Sequence, residues 1–111
     1  MELARTIVDA LEDKKGEDIL QIDIQEVAYF ADYFVICNGT SDRMLNSLAD
    51  ATVAEVKKKY SINGRIEGQP QEGWLVVDFK DVVVHLFAPE QRDYYNLEEL
   101  WETGKVLLRL Q

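Results

Sequence analysis

Apolar residues recur along this chain with two different periods, and the alternation between them lays out the elements. Leu3, Ile7, Ala10 and Leu11 stand at helical spacing, which predicts an amphipathic helix over residues 2–13, stopped by Gly16. Leu20, Ile22 and Ile24 then alternate with Gln21, Asp23 and Gln25, the period of a strand with one buried face. Tyr33 to Cys37 is a nearly continuous apolar run and predicts an inner strand covered on both faces. After Asn38-Gly39, any of Thr40, Ser41 and Asp42 suits a helix N-cap. Leu45, Leu48, Ala49, Thr52 and Val56 continue as a helical stripe to about Tyr60, with Lys57, Lys58 and Lys59 in the last turn, where positive charge favours the helix dipole.

Residues 61–73, SINGRIEGQPQEG, hold three glycines and a proline and read as a long connection that admits a short strand at Arg65–Glu67. WLVVDF and VVVHLF around Lys80-Asp81 read as a hairpin. With a two-residue turn, Phe79 pairs with Val82 and Val76 with His85. One face then carries Leu75, Val77, Phe79, Val82, Val84 and Leu86, all apolar and fit for a core. The other carries Trp74, Val76, Asp78, Val83, His85 and Phe87, a mixed set. Arg92-Asp93-Tyr94-Tyr95 follows Pro89 and reads as a loop. Asn96 with Glu99 resembles a capping box opening a short helix, and VLLRLQ at the end reads as an edge strand or a tail packed on the sheet.

Charge adds a constraint. The 111 residues carry a net charge of −9, and residues 67–103 hold nine carboxylates against Lys80 and Arg92, a local balance of −7. A surface that tracks phosphates needs the opposite sign, so extensive nucleic-acid contact through this half is disfavoured. Long-range attraction favours a basic protein partner instead. The sequence shows no apolar run of membrane-spanning length and no signal-peptide pattern. The single cysteine, Cys37, forms neither an internal disulfide nor a metal set, which suits a reducing, cytoplasmic setting.

Strand–glycine–helix junctions often hold phosphate, which makes Gly39 the first candidate for chemistry. NGTSDRM matches neither the dinucleotide fingerprint nor the P-loop. Gly39-Thr40-Ser41 is similar to the Gly-Ser turn of nucleotidyltransferases, but those enzymes need two metal-binding carboxylates spaced by one residue on the next strand. Here Asp78 and Asp81 are separated by two residues and fall on opposite strand faces, so the junction reads as a structural turn. His85 has no nucleophile placed beside it. Asp78 is its expected neighbour across the hairpin, and a structural or recognition role suits it better than catalysis. Cys37, inside an apolar run, reads as a small buried hydrophobe. Trp74, Tyr94, Tyr95 and Trp101 suit either a core or an interface anchor.

Taken together, ADYFVICNGTSDRM, Glu67-Gly68, GWLVVDFKDVVVHLF and RDYYNLEELW resemble, in order, the Iojap-like ribosomal silencing factor family. The resemblance runs from about Glu17 to Trp101. It implies an α/β (α+β) fold, a small mixed β-sheet with flanking helices, similar to nucleotidyltransferases but without their catalytic carboxylates, in one domain over residues 1–111. It also implies binding to the large ribosomal subunit through ribosomal protein fourteen of that subunit, steric blockage of subunit joining and repression of translation. No catalytic residue, metal or cofactor is required, and members are often homodimeric. The alternative is a nucleotidyltransferase-type enzyme using the Gly39 turn. Trp74, Asp78, His85, Arg92, Asp93, Tyr94 and Tyr95 are the expected partner-binding residues. Asn38 departs from the smaller residue that the family usually places before the glycine.

Overall fold

The computed structural model describes residues 2–26, 28–95 and 105–110. Its elements are α1 (Glu2–Asp13), β1 (Glu17–Asp23), β2 (Tyr33–Asn38), α2 (Asp42–Tyr60), β3 (Arg65–Gln69), a 3₁₀ turn (Pro70–Glu72), β4 (Trp74–Asp78), β5 (Val82–Phe87), α3 (Pro89–Tyr95) and β6 (Lys105–Leu110). The strands form one mixed sheet in the order β3-β4-β5-β2-β1-β6. Among the described residues, only β2 and β5 run parallel. A parallel pair requires a long crossover, and α2, β3 and β4 supply it.

Both long helices pack on one face of the sheet, against each other and the central strands. Their apolar stripes, including Ile7, Leu11, Leu45, Leu48 and Val56, meet Val35 and Cys37 of β2 and the row Leu75, Val77, Phe79, Val82, Val84 and Leu86. That row is the one expected to fill the core, and the register Val76↔His85 is as expected. The turn is two residues long: Phe79 N–H donates to the Val82 carbonyl, and Lys80 takes a positive φ of 74°. A second apolar cluster occupies the opposite face, built from Leu20, Ile22, Ile24, Ala31, Phe34, Ile36, Val83 and Phe87. The expected inner strand at Tyr33–Cys37 therefore has its cover on both sides, with Phe34 to Cys37 all buried.

Local chemistry accounts for the element ends. Ser41 is the N-cap of α2, its Oγ accepting from the Met44 amide at 3.0 Å. Gly16 ends α1 by donating to the Leu11 carbonyl, and a Cβ there would lie 2.4 Å from Cys37 Sγ. That distance makes the position obligatorily small for packing.

Three expectations change. β1 does not have one exposed face: Gln21 is 2% exposed, because both faces of β1 are packed, Ile19 in the helix-side cluster and Leu20 and Ile22 in the opposite one. The connection after α2 contains the admitted strand, starting at Arg65 as expected, but it runs on to Gln69 and is followed by a 3₁₀ turn where a loop was expected. Pro89 opens a helix rather than a loop, since its fixed φ and missing N–H suit a first helical position. The tail does form an edge strand, β6, paired with β1. The expected helix from Asn96, with Glu99 and Trp101, lies outside the described residues.

Candidate functional site

The Gly39 junction is held by packing. Its amide donates to the Phe87 carbonyl at 2.9 Å, and a Cβ on Gly39 would stand 2.9 Å from Leu45 Cδ2 and 3.2 Å from Leu48 Cδ1. The glycine lets the first turns of α2 close down on the end of β2. A shallow depression of about 260 Å³ opens beside it, lined in part by Thr40, Ser41, Asp42, Glu72 and Glu90. Three carboxylates around the α2 N-terminus oppose the anion binding that helix ends otherwise favour.

Asp78 caps the hairpin. Its Oδ1 accepts from the Lys80 amide at 2.7 Å, an Asx-type turn that fixes the carboxylate locally. The expected Asp78–His85 pair is absent. Asp78 stands opposite Val83, while His85 stands opposite Val76, and the same-face neighbour that reaches the imidazole is Trp74. Among the described residues, no group of three or more His, Cys, Asp or Glu side chains is placed to hold a metal ion.

His85 sits in an aromatic box. Trp74 Nε1 donates to His85 Nδ1 at 3.2 Å. Phe34 meets the imidazole edge-on with centroids 4.7 Å apart, and Phe87 stacks on Trp74 at 5.1 Å. Accepting at Nδ1 puts the proton of the neutral ring on Nε2, which is buried and has no hydrogen-bond partner among the described residues. With His85 8% exposed, burial pushes its pKa down to about 4, so the ring is neutral at physiological pH. Val83 and Phe87 are buried on this face, whereas Trp74, Val76 and Asp78 of β4 are half-buried.

Arg92 corrects the sequence reading most sharply. Expected as an exposed anchor in a loop, it is 3% exposed and points inward from α3. Its Nη1 donates to the Asp18 backbone carbonyl and, at 2.9 Å, to Asn38 Oδ1, with the Asp18 carboxylate 3.7 Å away. Asp18 itself takes a left-handed φ of 49° at an irregularity in β1. Arg92 thus ties α3 to the ends of β1 and β2. Asn38, the family departure, is one of the two residues it binds.

The expected contact residues do not form one cluster. Trp74 and His85 touch, and α3 begins beside them, with the Ala88 amide donating to the Gly73 carbonyl. Asp78 lies four residues along β4, ~13 Å away at strand rise. Asp93 is exposed. The backbones of Tyr94 and Tyr95 belong to α3, while their side chains lie outside the described residues. Asp18 and Asn38 are the structurally important polar residues that sequence reasoning missed. The only available signal was a polar Asn closing an apolar inner strand.

A mixed six-stranded sheet with both long helices on one face, an Asx-closed hairpin and a buried arginine tie define an α+β domain. The family model described as "Ribosomal silencing factor during starvation" matches residues 1–109, and the chain belongs to that family. The expected Iojap-like membership is borne out. Ribosomal silencing factor RsfS of Bacillus subtilis is 43% identical over 83% of this chain and 78% of its own length. A crystal structure of a Chromobacterium violaceum protein superposes with a TM-score of 0.86 at 33% identity, covering 91% of this chain and 84% of that one. A Bacillus halodurans crystal structure gives a TM-score of 0.77 at 37% identity, over 90% and 93% of the two chains. The relatives' name denotes a regulatory role rather than a catalytic one. Among the described residues, no helix is long and apolar enough to cross a membrane.

Proposed function

We propose that residues 1–111 act as one domain that binds the large ribosomal subunit through ribosomal protein fourteen, blocks joining of the small subunit and so represses translation in the cytoplasm. The observation that carries this reading is the half-buried row Trp74, Val76 and Asp78 on β4, which falls within the acidic sequence stretch 67–103. Neighbouring β5 residues on the same face are buried, so β4 keeps an aromatic anchor within reach of a partner. The local charge of −7 over residues 67–103 suits a basic ribosomal protein and speeds its capture. Names of relatives support the ribosomal side: besides the silencing factors, a mouse protein named for mitochondrial assembly of the ribosomal large subunit is 37% identical over 86% of this chain. This chain spans 43% of that protein's length.

Within this reading, Trp74, Asp78 and Asp93 make contact directly. Arg92 acts from beneath by fixing α3, and His85 by holding the Trp74 indole. Steric competition needs no reacting group. Subunit joining followed on sucrose gradients tests it: added protein should lower the fraction of complete ribosomes and raise free subunits. Unchanged joining at saturating protein would remove the proposal.

A further inference from the structure

Residues 24–32, IQEVAYFAD, join β1 to β2 and carry two adjacent aromatics. Tyr29 is fully exposed, and Phe30 is 59% exposed. Two neighbouring rings in water are a large apolar area for a nine-residue loop to leave uncovered. The loop is pinned at its base. The Ile24 amide donates to the Asp32 carbonyl at 2.9 Å, and the Ala28 amide to the Ile24 carbonyl at 2.9 Å. The Asp32 and Tyr33 amides both donate to the Asp81 carbonyl, at 2.8 and 3.1 Å, which ties the loop to the β4–β5 turn. Asp23 Oδ1 accepts from the Gln25 amide at 2.9 Å. A pinned loop has less freedom to lose when its tip is gripped.

Position and charge say what the tip meets. The Phe30 ring lies 5.8 Å from Phe34, which packs in the helix-free cluster and meets His85, the acceptor of the Trp74 indole. Phe34, Val83 and Asp78 stand side by side on β2, β5 and β4. Two strand spacings, ~10 Å, separate Phe34 from Asp78. The loop aromatics therefore continue the β4 row across the sheet at its hairpin end. Residues 23–33 hold Asp23, Glu26 and Asp32 and no Lys or Arg, and the hairpin end adds Asp78 and Asp81 against Lys80. Glu26, Asp32 and Asp81 are exposed. We propose that the Tyr29–Phe30 loop is a second docking arm, which takes a Lys or Arg side chain of a basic partner protein against its aromatic rings. A ring face attracts a cation, and the surrounding carboxylates add long-range attraction. The same carboxylates oppose a nucleic acid, and a purely apolar partner would bury them without counter-charge. The arm rests on the ribosomal reading above for its partner, a basic protein of the large subunit. It adds residues that lie outside the acidic stretch 67–103 and reach the same face through the Asp81 tie.

Pelleting titrations with purified large ribosomal subunits test it. Tyr29→Leu should weaken binding about tenfold, because it keeps the bulk and removes the ring face. Tyr29→Phe keeps the ring and should bind within about twofold of wild type. Phe30→Leu, which preserves apolar contact with Phe34, should also weaken binding. Tyr29 is fully exposed, so both Tyr29 variants should match wild type in urea melts. Asp32→Lys should weaken binding and flatten its salt dependence. Glu12→Lys makes the same charge change on the exposed side of α1, on the opposite face of the sheet, and should do much less. Wild type that fails to pellet with the large subunit overturns the ribosomal reading and the arm with it. Wild type that binds, with loss on Trp74→Ala but none on either leucine variant, overturns the arm alone. Tyr29→Phe binding as weakly as Tyr29→Leu, or equal losses for Asp32→Lys and Glu12→Lys, would also overturn it.

Discussion

Acid should destabilise this protein through His85 before most carboxylates protonate. The imidazole is enclosed by Phe34, Phe87 and Trp74, and burial lowers its pKa from 6.5 to about 4. A lowered folded value means that the unfolded chain binds the extra proton between those limits. The stability from keeping His85 neutral is therefore full above about pH 6.5 and is lost as pH falls toward 4. The whole shift corresponds to about 3 kcal/mol, and by pH 5 about 2 kcal/mol should already be gone. His85→Phe keeps the aromatic packing and removes the proton site. At neutral pH it should cost ~1–3 kcal/mol, because the Trp74 N–H loses its acceptor. Urea denaturation of both proteins at pH 7, 6 and 5 is the assay. Wild type should lose about 2 kcal/mol more than the variant between pH 7 and pH 5. Parallel stability curves would refute the reasoning, because the imidazole would then be titrating in both states alike.

Arg92→Ala should cost about 3 kcal/mol in urea melts, because it breaks a buried charge-assisted tie between α3 and the ends of β1 and β2. Gly16→Ala should cost ~1–3 kcal/mol by driving a methyl group into Cys37 Sγ. Adding Cys37→Ala should return part of that loss, measured as a double-mutant cycle. Burial raises the Cys37 thiol to about 12, so a thiol reagent at pH 8 should modify the native protein only at its rate of opening.

Much of the architecture was legible because each main element presents one clear period. The hairpin register followed from two apolar runs around Lys80-Asp81, since a slip by one would have put the all-apolar row on the wrong face. β1 was misread because Gln21 and Asp23 imitate an exposed face. What covers that face is the helix layer, in whose cluster Ile19 packs, and β1's own pattern does not announce it. The Pro89 segment was misread because a proline followed by polar residues suits a loop and a first helical turn equally. Arg92 was placed outside because charged residues are seldom fully buried unless paired. Its partners, Asp18 and Asn38, are 74 and 54 residues away, and no local pattern joins them. The aromatic box around His85 was half visible: the shared face of Trp74 and His85 could be read, but not which of Trp74 and Asp78 would reach the ring.

Pelleting with separated ribosomal subunits tests the central claim most directly. Wild-type protein should sediment with the large subunit and stay in the supernatant with the small one. Trp74→Ala, confirmed as folded by its thermal melt, should bind the large subunit ~30-fold more weakly, the equivalent of a ~2 kcal/mol hot spot. Asp93→Lys should weaken binding and reduce its sensitivity to salt. Equal pelleting with both subunits, or with neither, would contradict the account. Full retention of large-subunit binding by both folded variants would contradict the assignment of the β4 row and α3 as the contact surface.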